Sequence, residues 1–146
     1  MVLYQKLKVK NNNIFRIEKK YHFYAGHRNK SAGEKCGRLH GHTYDVEVIL
    51  GFDKTENGVT MLFSDIDLII EPIIKQYDHY FILDEKDPLC AAFELVNEPY
   101  VKVPFETSAE NMAMFIFTQI KHHLPIVEIR LAETKSSKII YNGFKD

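Results

Sequence analysis

Residues 40 to 50, His-Gly-His-Thr-Tyr-Asp-Val-Glu-Val-Ile-Leu, limit what this chain can become more than any other stretch. His40, His42, Tyr44, Val46, Val48 and Leu50 share one parity. Thr43, Asp45 and Glu47 take the other, with Ile49 breaking the polar side. Alternation with a period of two predicts a strand with one buried face. Successive strand side chains point to opposite faces, so both histidines project to the same side. An H-x-H pair placed in this way can hold one metal ion without distorting the backbone. Gly41 between them permits a close approach to the main chain.

A third imidazole comes from the stretch before it. Ile17, Tyr21, Phe23, Ala25 and His27 share a parity within a strand expected from Ile14 to about His27. Three imidazoles with an open fourth position are the ligand set of a catalytic rather than a structural zinc. Neutral nitrogen ligands leave the ion its full charge, which can polarise a bound hydroxyl. Two other readings fit the same residues. A histidine on an apolar face is commonly a hydrogen-bonded core residue, and Cys36 as a fourth ligand would make the zinc structural. The loop from Arg28 to Arg38 carries Arg28, Lys30, Lys35 and Arg38 against Glu34 alone. It is either a solvated loop or an anion-binding mouth that favours the Cys36 thiolate.

The rest of the chain predicts what carries these strands. A length of 146 residues suits one domain with one core, with residues 1–13 peripheral. A net charge of −1 argues against bulk nucleic-acid binding. No apolar run approaches a membrane span, and the N-terminus lacks a signal-peptide core. Two cysteines, Cys36 and Cys90, suit a reducing cytoplasm better than a disulfide framework.

A short strand at Val59 to Phe63 is expected to complete a hairpin with the second strand. Ser64 is expected to cap a helix whose stripe is Ile66, Ile69, Ile70, Ile73, Ile74 and Tyr77, kinked or split at Pro72. A short helix around Leu89 to Leu95 and a strand at Tyr100 to Val103 follow. Thr107 to Glu110 reads as a capping box opening a second long helix, which Pro125 ends. Strands at Ile126 to Glu133 and Lys138 to Tyr141 close the chain. Val127, Ile129, Leu131 and Glu133 share a parity, so Glu133 either finds a partner or leans into water, because an unpaired buried carboxylate is costly. The order of elements is α+β, with two helices on one face of an antiparallel sheet.

Several motifs carry a resemblance. F-x-A-x-H-R at Phe23 to Arg28 and C-G-R-L-H-G-H at Cys36 to His42 resemble the 6-pyruvoyltetrahydropterin synthase superfamily. The C-x3-H-G-H spacing is similar to its bacterial branch, the 6-carboxytetrahydropterin synthases of queuosine biosynthesis. The likeness runs from about residue 14 to 143. Asp78-His79 matches an L-D-H element, with Tyr77 where Leu is usual. Ser108 to Asn111 match a P-T-x-E-N signature, with Thr107 where Pro is common. Glu133-Thr134 matches an E-T element. Phe81-Ile82-Leu83-Asp84 departs from the Leu-Asn continuation of the family.

The resemblance implies a tunnelling fold whose protomers join sheets into a barrel, usually a homohexamer of two trimers. It implies Zn2+ on His27, His40 and His42. Cys36 would be catalytic with Asp78 and His79, which different chains can supply. It implies Glu133, Thr134, Ser108 and Glu110 around a pterin ring, and Arg28 and Arg38 toward a triphosphate. The implied activity is a zinc-dependent lyase acting on 7,8-dihydroneopterin triphosphate and releasing 6-carboxytetrahydropterin, acetaldehyde and triphosphate. Two alternatives stay open: elimination of triphosphate with the side chain retained, and a non-catalytic zinc- or pterin-binding protein.

Overall fold

The structure, a computed structural model, describes residues 13–143. Its spine is the pair formed by β1 (Phe15–His27) and β2 (His40–Phe52), antiparallel from Phe15 opposite Phe52 to His27 opposite His40. The alternation read from the sequence is obeyed: Tyr44, Val46, Val48 and Leu50 are buried, and Thr43 and Asp45 are exposed. Ile49, the residue that broke the pattern, is buried on the other face and sits at a register shift against the last long strand.

The chain continues through α1 (Phe63–Lys75), β3 (Tyr80–Asp84), α2 (Leu89–Leu95), β4 (Val101–Val103), α3 (Ala109–Lys121), β5 (Ile126–Ala132) and β6 (Ile139–Tyr141). The six strands form one sheet in the order β4-β3-β1-β2-β5-β6. The antiparallel sheet expected from the sequence holds for β1, β2, β5 and β6. It is corrected at the other end, where β3 runs parallel to β1 and β4 parallel to β3. β3 is five residues long, too short to show a period, so the sequence left it without an assignment. The two long helices, α1 and α3, are joined by the short α2, making three.

α1 and α3 supply the cover for the apolar face. Ile66, Ile70, Ile73 and Ile74 of α1 and Met112, Ala113, Ile116, Phe117 and Ile120 of α3 join Phe23, Tyr44, Val46, Val48 and Leu50 in one core. Each fully buried Ile of this set contributes roughly 1.5–3 kcal/mol relative to exposure. Three expectations about helix ends and turns are corrected. Leu62, not Ser64, is the N-cap of α1, and the carbonyl of Leu62 already accepts from the amides of Asp65 and Ile66. Pro72 does not divide α1, because it lies on the exposed side and the carbonyl it leaves free, that of Leu68, belongs to a solvent-facing residue. In place of a strand at Val59 to Phe63 there is one bridge, Glu56 with Val59.

Two glycines let the site-bearing strands come close. Gly26 pairs with Gly41, and a Cβ on Gly26 would fall on the Phe81 ring of β3. A Cβ on Gly41 would lie 3.2 Å from the Ala25 carbonyl oxygen. The close approach expected at Gly41 is therefore made by the neighbouring strand.

Candidate metal and catalytic site

Register brings the three histidines together. His27 is directly opposite His40 and Ala25 opposite His42, so all three imidazoles leave the same face at the end of the β1–β2 pair. The small Ala25 leaves the His42 ring room. Their ligating nitrogens all lie within 4.8 Å of one another, and the Nε2 atoms of His27 and His42 are 3.2 Å apart.

The outer partners fix two tautomers. A carbonyl only accepts, so His27 Nδ1 donates to the Thr107 carbonyl at 2.8 Å and His40 Nδ1 donates to the Arg38 carbonyl at 2.7 Å. With Nδ1 as the donor, each ring in its neutral form presents an Nε2 lone pair inward, the arrangement a metal ion requires. Burial, aided by the nearby His40 and His42 and opposed by the bond to the Thr107 carbonyl, brings the His27 imidazole down to about 4. His42 is lowered by burial and by His40. Uncharged rings with converging lone pairs fit a divalent ion by the chemistry of the donor set.

Thr107 is the residue that sequence reasoning placed wrongly. Ser108, not Thr107, is the N-cap of α3, accepting from the Asn111 amide at 3.2 Å. Thr107 is buried instead, with its hydroxyl 3.1 Å from His27 Nδ1 and donating to the Arg28 carbonyl. The signal was present: the capping sequence offers two hydroxyls in succession, and only one can cap.

The histidines open into a cavity of about 500 Å³, to which the expected residues Cys36, Ser108, Glu110, Glu133 and Thr134 also contribute. Cys36 is exposed on the loop before His40, and its carbonyl accepts from the Asn29 amide at 2.7 Å. The loop is tied down again where the Ser31 amide donates to Glu106. Glu133 follows β5 one residue beyond the last pair, Asp45 with Ala132, and so stands level with Tyr44, the next inward-facing residue after His42. Its carboxylate oxygens lie 3.8 Å from His27 Nε2 and 3.7 Å from His42 Nε2. Burial raises the pKa of its carboxyl, with His40 acting in the opposite sense. Tyr44 packs behind the histidines, stacked on Phe23 and edge-on to His27 and His42; its hydroxyl is buried with no hydrogen-bond partner. Lys138 and Ser137 also line the cavity, and nothing in the sequence pattern singled them out.

The remaining expected residues lie elsewhere. Arg28 turns to Asp87, with Nε 2.7 Å from one carboxylate oxygen and a terminal nitrogen on the other, and both side chains are largely buried. Arg38 is exposed and contacts Glu34 at 3.3 Å. Asp78 accepts from the Tyr24 amide at 2.9 Å and holds His79 Nδ1 at 2.8 Å. The His79 ring packs against Tyr24, whose side chain has the parity opposite to Phe23 and Ala25, so the pair sits on the other face of β1 from His27. The Tyr24 amide, followed by the His79 side chain, holds the Asp78 carboxyl below its ordinary range.

A mixed sheet under two long helices, carrying three imidazoles that could hold a metal ion and a cysteine around one cavity, defines an α+β protein. The family described as 6-pyruvoyl tetrahydropterin synthase matches residues 16–143, and the chain belongs to that family. It is 35% identical over 135 residues to the 6-carboxy-5,6,7,8-tetrahydropterin synthase of Haemophilus influenzae, covering 85% of this chain and 96% of that one. It is 32% identical to the protein of the same name from Aquifex aeolicus, covering 86% and 96%. Its fold is shared with an uncharacterized protein of Wolinella succinogenes (TM-score 0.78, 21% identity, 89% of this chain and 98% of that one). It is shared also with the 6-pyruvoyl tetrahydropterin synthase of Caenorhabditis elegans (TM-score 0.68, 20% identity, 89% and 96%). No helix among the described residues is long and apolar enough to cross a membrane.

Proposed function

We propose that this chain is a zinc-dependent 6-carboxytetrahydropterin synthase. With one water, it would convert 7,8-dihydroneopterin triphosphate into 6-carboxytetrahydropterin, acetaldehyde and triphosphate, in the cytoplasm and on the route to queuosine. The observation that carries the reading is the convergence of His27, His40 and His42 on one cavity with Cys36. The 6-carboxytetrahydropterin synthase relatives support the choice of product.

His27, His40 and His42 would hold Zn2+, which supplies a Lewis acid for the hydroxyls of the substrate side chain. Cys36, on the rim of the same cavity, takes the proton from the side-chain carbon or hydroxyl as general base. Glu133, with Thr134, Ser108 and Glu110 around it, accepts the ring N–H groups and orients the pterin. His79, kept in one tautomer by Asp78, moves the second proton. Because that pair lies on the opposite face of β1, it would serve the cavity of a neighbouring chain in a homohexamer built as two trimers. Arg28 is committed to Asp87, so we assign the triphosphate to Arg38 and Lys138.

Zinc-loaded protein incubated with 7,8-dihydroneopterin triphosphate is expected to release acetaldehyde and 6-carboxytetrahydropterin, seen by mass spectrometry. Triphosphate release with a retained three-carbon side chain would replace this product assignment with 6-pyruvoyltetrahydropterin synthesis. No consumption of the substrate would remove both.

A further inference from the structure

We propose that Glu133 is a fourth protein ligand that closes the metal position before substrate arrives. The inference rests on the metal reading above and assigns the resting state of that same site. A tetrahedral ion with metal–nitrogen and metal–oxygen distances near 2.0–2.1 Å sets its ligand atoms about 3.3–3.4 Å apart. The separation of His27 Nε2 and His42 Nε2, 3.2 Å, is close to such an edge. The two carboxylate oxygens of Glu133 stand at 3.8 Å and 3.7 Å from the same two nitrogens. The two distances belong to different oxygens, so ligation requires a rotation of the Glu133 carboxylate that brings one oxygen toward both nitrogens.

Position along the chain supports the assignment. Glu133 is the residue after β5 and is not fixed by ladder pairing, since the β2–β5 register ends at Ala132. Among the described residues, no Lys or Arg side chain is paired with its carboxylate; the two imidazoles are its partners. A carboxylate beside two neutral imidazoles gains little unless a cation lies between them.

The arrangement also bears on how the site would be used. A pterin whose side-chain oxygens reach the metal has its N–H-bearing edge a full bicyclic ring away. A carboxylate less than 4 Å from two ligating nitrogens cannot grip that edge where it stands. Ring binding and metal ligation are therefore alternative positions of one side chain. Occupying the first vacates the second, so the metal opens as the ring docks.

The test uses full-length protein loaded with Co2+, whose visible absorption reports ligand number, and azide as a probe of an open position. The wild type is expected to bind one Co2+ per chain and to resist azide. E133A and E133Q are expected to bind azide at least tenfold more tightly, and to hold Zn2+ about tenfold or more weakly in competition with a chelator. An azide response in the wild type equal to that of both variants overturns the assignment of Glu133 and leaves the three-histidine site standing. The wild-type response alone decides this even where a variant does not fold. Failure of the wild type to take up stoichiometric Co2+ overturns the metal reading, and Glu133 with it.

Discussion

The histidine cluster and the Asp78–His79 turn flank the same strand and are built in opposite ways. His27 is 3% exposed, locked through Nδ1 by a carbonyl 80 positions away, and surrounded by its fellow imidazoles. His79 has a side chain 76% exposed, sits at a left-handed φ of 66°, and is held by its immediate neighbour Asp78. The first arrangement is complete within one chain. The second is a preoriented group facing outward, strained for a residue that is not glycine. A rigid centre in the fold and a presented dyad on the surface are what a site assembled between subunits requires.

The largest expected effect tests the cavity that the histidine cluster opens into. C36A should lower kcat by about 10²–10⁴-fold, the range of a lost general base, while Zn2+ content stays at one per chain. A loss of metal would instead make Cys36 a ligand. H79A tests the outward half. Mixed oligomers assembled from C36A and H79A chains should regain activity, approaching about a quarter of wild type if each site draws its cysteine and dyad from different chains. Mixtures no more active than their parents would place both groups in one chain and erase the contrast.

The supporting contacts should respond more modestly. D87A leaves the largely buried Arg28 side chain without its carboxylate, and should cost about 1.5–3 kcal/mol in urea denaturation. T107V removes the hydroxyl beside His27 but keeps the carbonyl, so Zn2+ affinity measured by chelator competition should fall about tenfold at most.

Acid gives the smallest and most graded effect. The folded His27 is pushed down to about 4 from an ordinary value of 6.5, so the unfolded state binds more protons between those values. Metal-free protein should therefore hold its full stability above pH 6.5 and lose it progressively toward pH 4, with His42 acting in the same sense. Glu133, raised by burial, acts in the opposite sense just above pH 4.5 and flattens that part of the curve. A thermal midpoint flat across this window would show that His27 is not uncharged at neutral pH for the reason of burial.

Much of this contrast was legible in the sequence, because period-two parity is a local property. It put His27, His40, His42 and Glu133 on apolar stripes, and the structure puts all four around one cavity. The helical stripes of α1 and α3 were legible for the same reason. What could not be read depends on contacts between distant positions. Asp87 lies 59 residues from Arg28 and Thr107 lies 80 from His27, and no pattern within either segment announces the other. The parallel β3 escaped because five residues are too few for a period to show and its partner is reached through a helix. The face occupied by His79 was likewise invisible, since it is set by the backbone bonds between the turn and Tyr24.

The locks on His27 and His40 have an evolutionary consequence. Both acceptors are peptide oxygens, of Thr107 and Arg38, and every residue type at those positions brings one. No single substitution can delete them, so the aim of these two rings is inherited with the path of the chain and not with the identity of a neighbour. Lineages descending from such a protein can rewrite the surrounding side chains extensively and still pass on the same pair of nitrogen lone pairs.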